Sequence, residues 1–72
     1  MSDIPALYNE PLTQRERQMA HAVSRGLRNR QIADEFGISE ETVKKHLATI
    51  YSKLALPGRV ALAVHVVQSG VA

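Results

Sequence analysis

Apolar residues return at helical intervals through most of this chain, and short polar stretches carrying glycine or proline interrupt them. The clearest stripe is Val43, Leu47, Ile50 and Leu54, at steps of 4, 3 and 4, which puts four side chains on one helix face. Ser39 stands at its start as N-cap, and Glu40 and Glu41 follow in the first turn, where the helix dipole favours acids. Upstream, Thr13-Gln-Arg-Glu16 has the spacing of a capping box. It predicts a helix to about Arg25, with Met19, Ala20 and Val23 inward and Gly26 as the left-handed stop. Leu27 follows that turn. Asn29 is the expected N-cap of a short second helix through Ile32, Ala33 and Phe36, ended by Gly37.

After Pro57-Gly58 the pattern is ambiguous. Val60, Leu62, Val64 and Val66 alternate with Ala61, Ala63 and His65, which is also how a strand reads, and valine favours strands. No other segment reads as a strand, and a lone strand would leave its backbone groups unpaired. The segment from about 59 to 69 is therefore expected to be a fourth helix. The fold class is all-α, a compact four-helix domain joined by very short turns.

Residues 1–11, with Pro5, Asn9 and Pro11, read as an N-terminal lead-in or linker remnant, and residues 12–72 as one domain. A domain of this size, 72 residues in all, is short of core, and with no cysteine it has no disulfide to help. The absence of cysteine also excludes a thiol nucleophile, an iron–sulfur cluster and a Cys-ligated zinc. Hydrophobic residues at 44% argue for a packed globule over disorder. Nothing at the N-terminus resembles a signal peptide, and the apolar run over 60–67 is too short for a membrane span. The expectation is a soluble, cytoplasmic chain with no membrane partner.

The net charge of +2 is too mild to announce a partner. Its distribution says more, because Asp3 and Glu10 alone give the lead-in −2 and leave +4 for the rest. His21, His46 and His65 have no metal-site spacing such as His-x-x-x-His. No nucleophile elbow or phosphate-binding glycine loop is present. An enzyme, a metal site and a cofactor are not expected.

Two short helices around Gly37-Ile38 make a helix-turn-helix, whose second helix enters a DNA major groove. Any small bundle can contain that arrangement, so the outward face of the third helix matters. At 100° per residue Lys45 lies almost opposite the apolar stripe, flanked by Glu41, Ala48, Thr49 and Ser52, with Lys44 and Thr42 toward the edges. Small side chains allow close approach, and lysine donates to guanine or phosphate. Arg25, Arg28 and Arg30 form a second basic cluster around Gly26 and Asn29, beside the free N–H groups of the second helix.

Leu12-Thr-Gln-Arg-Glu-Arg17, Gly26-Leu-Arg-Asn-Arg-Gln-Ile-Ala33, Ile38-Ser-Glu-Glu-Thr-Val-Lys-Lys-His46, Ile50-Tyr-Ser-Lys-Leu54 and Arg59 together resemble the LuxR-type (GerE-type) helix-turn-helix domain. The likeness runs from about 12 to 70, in order and without gaps. It implies a four-helix DNA-binding domain of bacterial transcription regulators, with the third helix reading the major groove and the fourth mediating dimerisation. By position it implies base-facing places for Lys45 and Ala48, backbone-facing or mixed edges for Thr42, Lys44 and Thr49, and a phosphate contact for Arg30. His46 is expected to pack, and Tyr51 to set its ring between helices. Ala20 and Ala22 stand where the family often has leucine, and Ala48 where it often has a longer polar residue. Such a domain works alone, or as the effector of a response regulator in a two-component system or of a ligand-sensing regulator.

On the fourth helix, Leu62, Ala63 and Val66 can face the domain's core. Val60, Val64 and Val67 then form a second stripe with no partner in 72 residues, which fits a homodimer contact. The alternative is a protein-interaction module that docks this helix on RNA polymerase or another regulator. That alternative leaves the lysine-bearing third helix without a purpose.

Overall fold

The computed structural model describes residues 12–69, so the lead-in over 1–11 lies outside the described residues. Four helices follow one another: α1 (Gln14–Ser24), α2 (Asn29–Phe36), α3 (Glu40–Leu54) and α4 (Arg59–Ser69). The segment with strand-like alternation is helical, and no strand occurs among the described residues. α1 packs against both α4 and α3, and α2 packs against α3.

The N-termini follow the local signals with one displacement. The Thr13 hydroxyl accepts from the Glu16 N–H at 3.0 Å while the Thr13 N–H donates to Glu16 Oε1 at 2.8 Å, completing the capping box. The Ser39 hydroxyl accepts from the Thr42 N–H at 3.0 Å. On α2, however, the N-cap is Arg28 and not Asn29. A guanidinium has no acceptor atom, so only the returning half of a capping box is made, from the Arg28 N–H to Gln31 Oε1 at 2.8 Å. The Asn29 side chain is engaged instead by Arg59, at the start of α4.

Three helices end in the same way. A residue in the left-handed region stops the helix, and the apolar residue after it folds back onto the core. Gly26 (φ 84°) is followed by Leu27, Gly37 (φ 67°) by Ile38, and Ala55 (φ 55°) by Leu56. Leu27, Ile38 and Leu56 donate their N–H groups to the carbonyls of Ala22, Ala33 and Tyr51, five residues back, and all three pack against the core. A side chain on either glycine would meet nothing within 4 Å, so what glycine supplies is backbone freedom and not room. Ala55 adopts the same conformation without that freedom, and the sequence carried no sign of it.

Met19, Ala20, Ala22, Ile32, Val43, Ile50 and Leu62 are wholly inaccessible, and Leu12, Val23, Ala33, Leu47 and Val66 complete the core. Each large member removed from water contributes about 1.5–3 kcal/mol. Ala20 and Ala22 are both fully buried, so at these two places α1 gives the core less side-chain volume than leucine would. α4 turns Leu62 and Val66 inward and leaves Val60 (77% exposed), Val64 (47%) and Val67 (76%) on the outside.

Candidate nucleic-acid interface

Because α3 spends one face on Val43, Leu47 and Ile50 in the core, the opposite face is fixed by helical period. Glu41, Lys44, Lys45, Ala48, Thr49 and Ser52 are all exposed along it, and Thr42 is half-buried at the edge. The two threonines differ in what they offer. Thr49 Oγ1 donates to the Lys45 carbonyl at 3.2 Å, so its hydroxyl hydrogen is used and its lone pairs remain as acceptors. Thr42 Oγ1 lies 2.9 Å from the Ser39 hydroxyl and shares a hydrogen with it at the helix cap. His46 is half-buried beside the core stripe, and Tyr51 packs against the core.

The cations divide by their partners. Five of the nine are tethered within the chain. Arg15 donates to the Phe36 carbonyl at 3.1 Å with its guanidinium 5.0 Å from the ring centre. Arg17 donates to the Leu12 carbonyl at 2.7 Å, Arg25 pairs with Glu35 at 3.0 Å, and Lys53 pairs with Glu16 at 2.8 Å. Arg59 holds Asn29 and Leu27. The side chains of Arg28, Arg30, Lys44 and Lys45 are exposed and make no hydrogen bond or ion pair to another described residue. The cluster Arg25, Arg28 and Arg30 read from the sequence thus separates: Arg25 is committed to Glu35, and the other two are exposed with no partner among the described residues.

Gly26, Leu27, Arg28, Asn29, Arg30, Glu40 and Arg59 line one shallow depression. It joins the α1–α2 turn to the first residues of α3 and α4. Lys44 lies one turn along α3 from Glu40, so the free cations of α2 and the outward face of α3 belong to one continuous surface. Glu40 is the single carboxylate lining that depression.

Two contacts that position this surface have no signal in the sequence pattern. Glu16 is 7% exposed, caps α1 and binds Lys53 near the end of α3. Burial pushes its carboxyl up, but the bonds from Lys53 and Thr13 outweigh that and hold it below the ordinary glutamate value of 4.5. Arg59, whose only sequence signal was its place in the family pattern, bridges α4 to the α1–α2 turn. No buried side-chain nitrogen or oxygen among the described residues lacks a partner, and no group of His, Asp and Glu there could hold a metal ion. No single helix among them is long and apolar enough to cross a membrane.

Residues 10–66 match the family of bacterial regulatory proteins of the luxR type. The chain is similar to SgaR of Hyphomicrobium methylovorum, a probable transcriptional regulatory protein, at 46% identity over 68 residues, 89% of this chain and 32% of that protein. It is similar to the nitrate/nitrite response regulator protein NarP of Escherichia coli at 46% over 50 residues, 69% of this chain and 23% of NarP. Against the transcriptional regulatory protein UhpA of Escherichia coli the identity is 43% over 54 residues, 75% of this chain and 28% of UhpA. The chain spans a third or less of the length of these relatives.

Proposed function

This chain belongs to the luxR family of bacterial regulatory proteins, which are DNA-binding transcription regulators, and we propose that it binds a two-fold DNA site as a homodimer with α3 in the major groove. Lys45 and Ala48 face base edges. Lys44, Thr42 and Thr49 border the sugar-phosphate backbone, and Arg30 beside the α2 N-terminus holds a phosphate. The stripe of Val60, Val64 and Val67 on α4 packs on the same stripe of a second copy across the two-fold axis. The observation that carries this reading is the division of the cations. Five are used up inside the fold, and the four with no partner among the described residues lie along α2 and the outward face of α3.

Exposed valines on α4 would also serve docking on RNA polymerase or another regulator, but docking gives no role to Lys44, Lys45, Arg28 and Arg30. Relatives named as a response regulator or as transcriptional regulatory proteins are several times longer than this chain. Their lengths suit an effector domain in a regulator that works on cytoplasmic DNA, and a stand-alone regulator would use the same surface.

Titrating fluorescent duplexes at two salt concentrations tests the proposal. Native chain binds in a steeply salt-dependent manner, Lys45→Ala loses sequence discrimination, and Arg30→Ala weakens all sequences alike. Absence of duplex binding at low salt would overturn it.

A further inference from the structure

Arg59 is the first residue of α4, and its guanidinium fork spans two acceptors about thirty residues back. Nη1 donates to Asn29 Oδ1 at 2.7 Å and Nη2 to the Leu27 carbonyl at 2.6 Å. Leu27 and Asn29 flank Arg28, and Asn29 directly precedes Arg30. The stretch of backbone that carries both free arginines is therefore clamped to the start of the helix whose other side bears Val60, Val64 and Val67. α4 is also held by Leu62 and Val66 in the core and by Ala63 packed against it, apolar contacts that are less directional than a hydrogen bond. A charge-assisted two-point bond fixes direction as well as distance.

We infer that Arg59 is a positioning residue that sets the distance between the two phosphate-holding turns of a DNA-bound dimer, and so the spacing of half-sites that the dimer accepts. The inference rests on the DNA and dimer reading given above. In a two-fold dimer built on α4, the separation of one Arg28–Arg30 turn from its copy depends on two things: the helix contact at the axis, and the angle between each α4 and its own turn. Arg59 holds the second. Its half-buried position in the depression with Arg28, Arg30 and Glu40 keeps it within the domain instead of presenting it freely to solvent.

Arg59→Lys separates geometry from charge, since lysine keeps the positive charge but is a point donor that cannot span both acceptors. Asn29→Ala removes one acceptor and leaves the arginine in place. A half-site is first selected from a random duplex library with the native chain. It is then presented singly, and as inverted pairs whose centres are stepped base pair by base pair across one helical turn. Native chain prefers a spacing of about 10 bp, and a shift of about half a turn, which moves one half-site to the opposite face, weakens binding at least about tenfold. Both variants flatten that preference to within about threefold while binding the single half-site within about twofold of native.

Native chain that binds pairs no better than a single half-site defeats the dimer reading and the inference with it. Native chain that discriminates spacing while both variants keep the same profile overturns the inference alone. So does a lowered melting temperature with an unchanged profile, which makes the bridge structural only. Loss of single half-site binding in proportion to pair binding overturns it too, since Arg59 is then a direct phosphate contact.

Discussion

Lys53 Nζ lies 2.8 Å from Glu16 Oε1, so the end of α3 is tied to the first turn of α1 by an ion pair whose side chains are 16% and 9% exposed. The same carboxylate oxygen accepts the Thr13 N–H that closes the capping box. One glutamate thus fixes how α1 begins and how α3 lies against it.

Removing Lys53 leaves the Glu16 carboxylate buried without its ion-pair partner, held only by its bonds to Thr13. Lys53→Met should lower stability by about 2–4 kcal/mol, read as a shift of the urea midpoint at neutral pH. A loss of under about 0.5 kcal/mol, the range of ordinary surface changes, would show that the pair holds nothing.

The pair also has a pH signature. The folded Glu16 carboxyl titrates below its ordinary value of 4.5, so in acid the unfolded chain binds its proton first. Its contribution is complete above that ordinary value and is lost as pH falls through the lower folded value. Thermal melts from pH 6 down to pH 2 should show this loss in native chain. In Lys53→Met the slope in that window should shrink, because burial then opposes ionisation with fewer bonds to counter it. An identical slope in both proteins would count against the assignment.

Ala55 sits at φ 55°, where a side chain on the α-carbon is strained. Ala55→Gly should relieve that strain, offset in part by the greater freedom of glycine in the unfolded chain. A net gain on the order of 0.5–1 kcal/mol is expected, with a melting temperature several degrees higher. DNA affinity should not change. A melting temperature that stays level or falls would mean that the turn is not strained.

Arg25 and Arg30 make a matched pair of controls. Arg30→Ala should reduce the slope of log affinity against log salt by about 0.9, because one phosphate fewer is neutralised and its counterions are not released. Arg25 is committed to Glu35 at 3.0 Å, and Arg25→Ala should leave that slope within error of native. Equal effects of the two substitutions would mean that net charge, not placement, governs binding.

On α4, Val64→Glu and Val67→Glu place a charge on exposed positions, where the cost to the monomer is within about 0.5 kcal/mol. An isologous contact brings both copies of each new charge into one apolar interface, so dimer dissociation should rise at least about tenfold by sedimentation analysis. Unchanged association would move the dimer contact off this face.

What could be read along the chain was whatever depends on residues within about a turn of one another. The Thr13–Glu16 box, the Ser39 cap, the stops at Gly26 and Gly37, and the stripe from Val43 to Leu54 belong here, and together they imply four helices. The exposed face of α3 follows from them, since a helix with one buried side has its opposite side determined by period alone. The second stripe on α4 was legible for the same reason.

Tertiary structure decided which charged groups are occupied and which are free. Glu16 and Lys53 are 37 residues apart, and Arg59 and Asn29 are 30 apart. Neither pairing has a local signal, because each depends on how two helices cross. Asn29 looks like a cap by residue type, yet its carboxamide oxygen is worth more to the charged fork of Arg59 than to a neutral backbone N–H. Arg25 and Arg30 look alike in sequence, and only the approach of Glu35 sets them apart. Local chemistry specifies the helices and their faces. Long-range packing decides which cations are used up inside the fold and which stay exposed with no partner among the described residues.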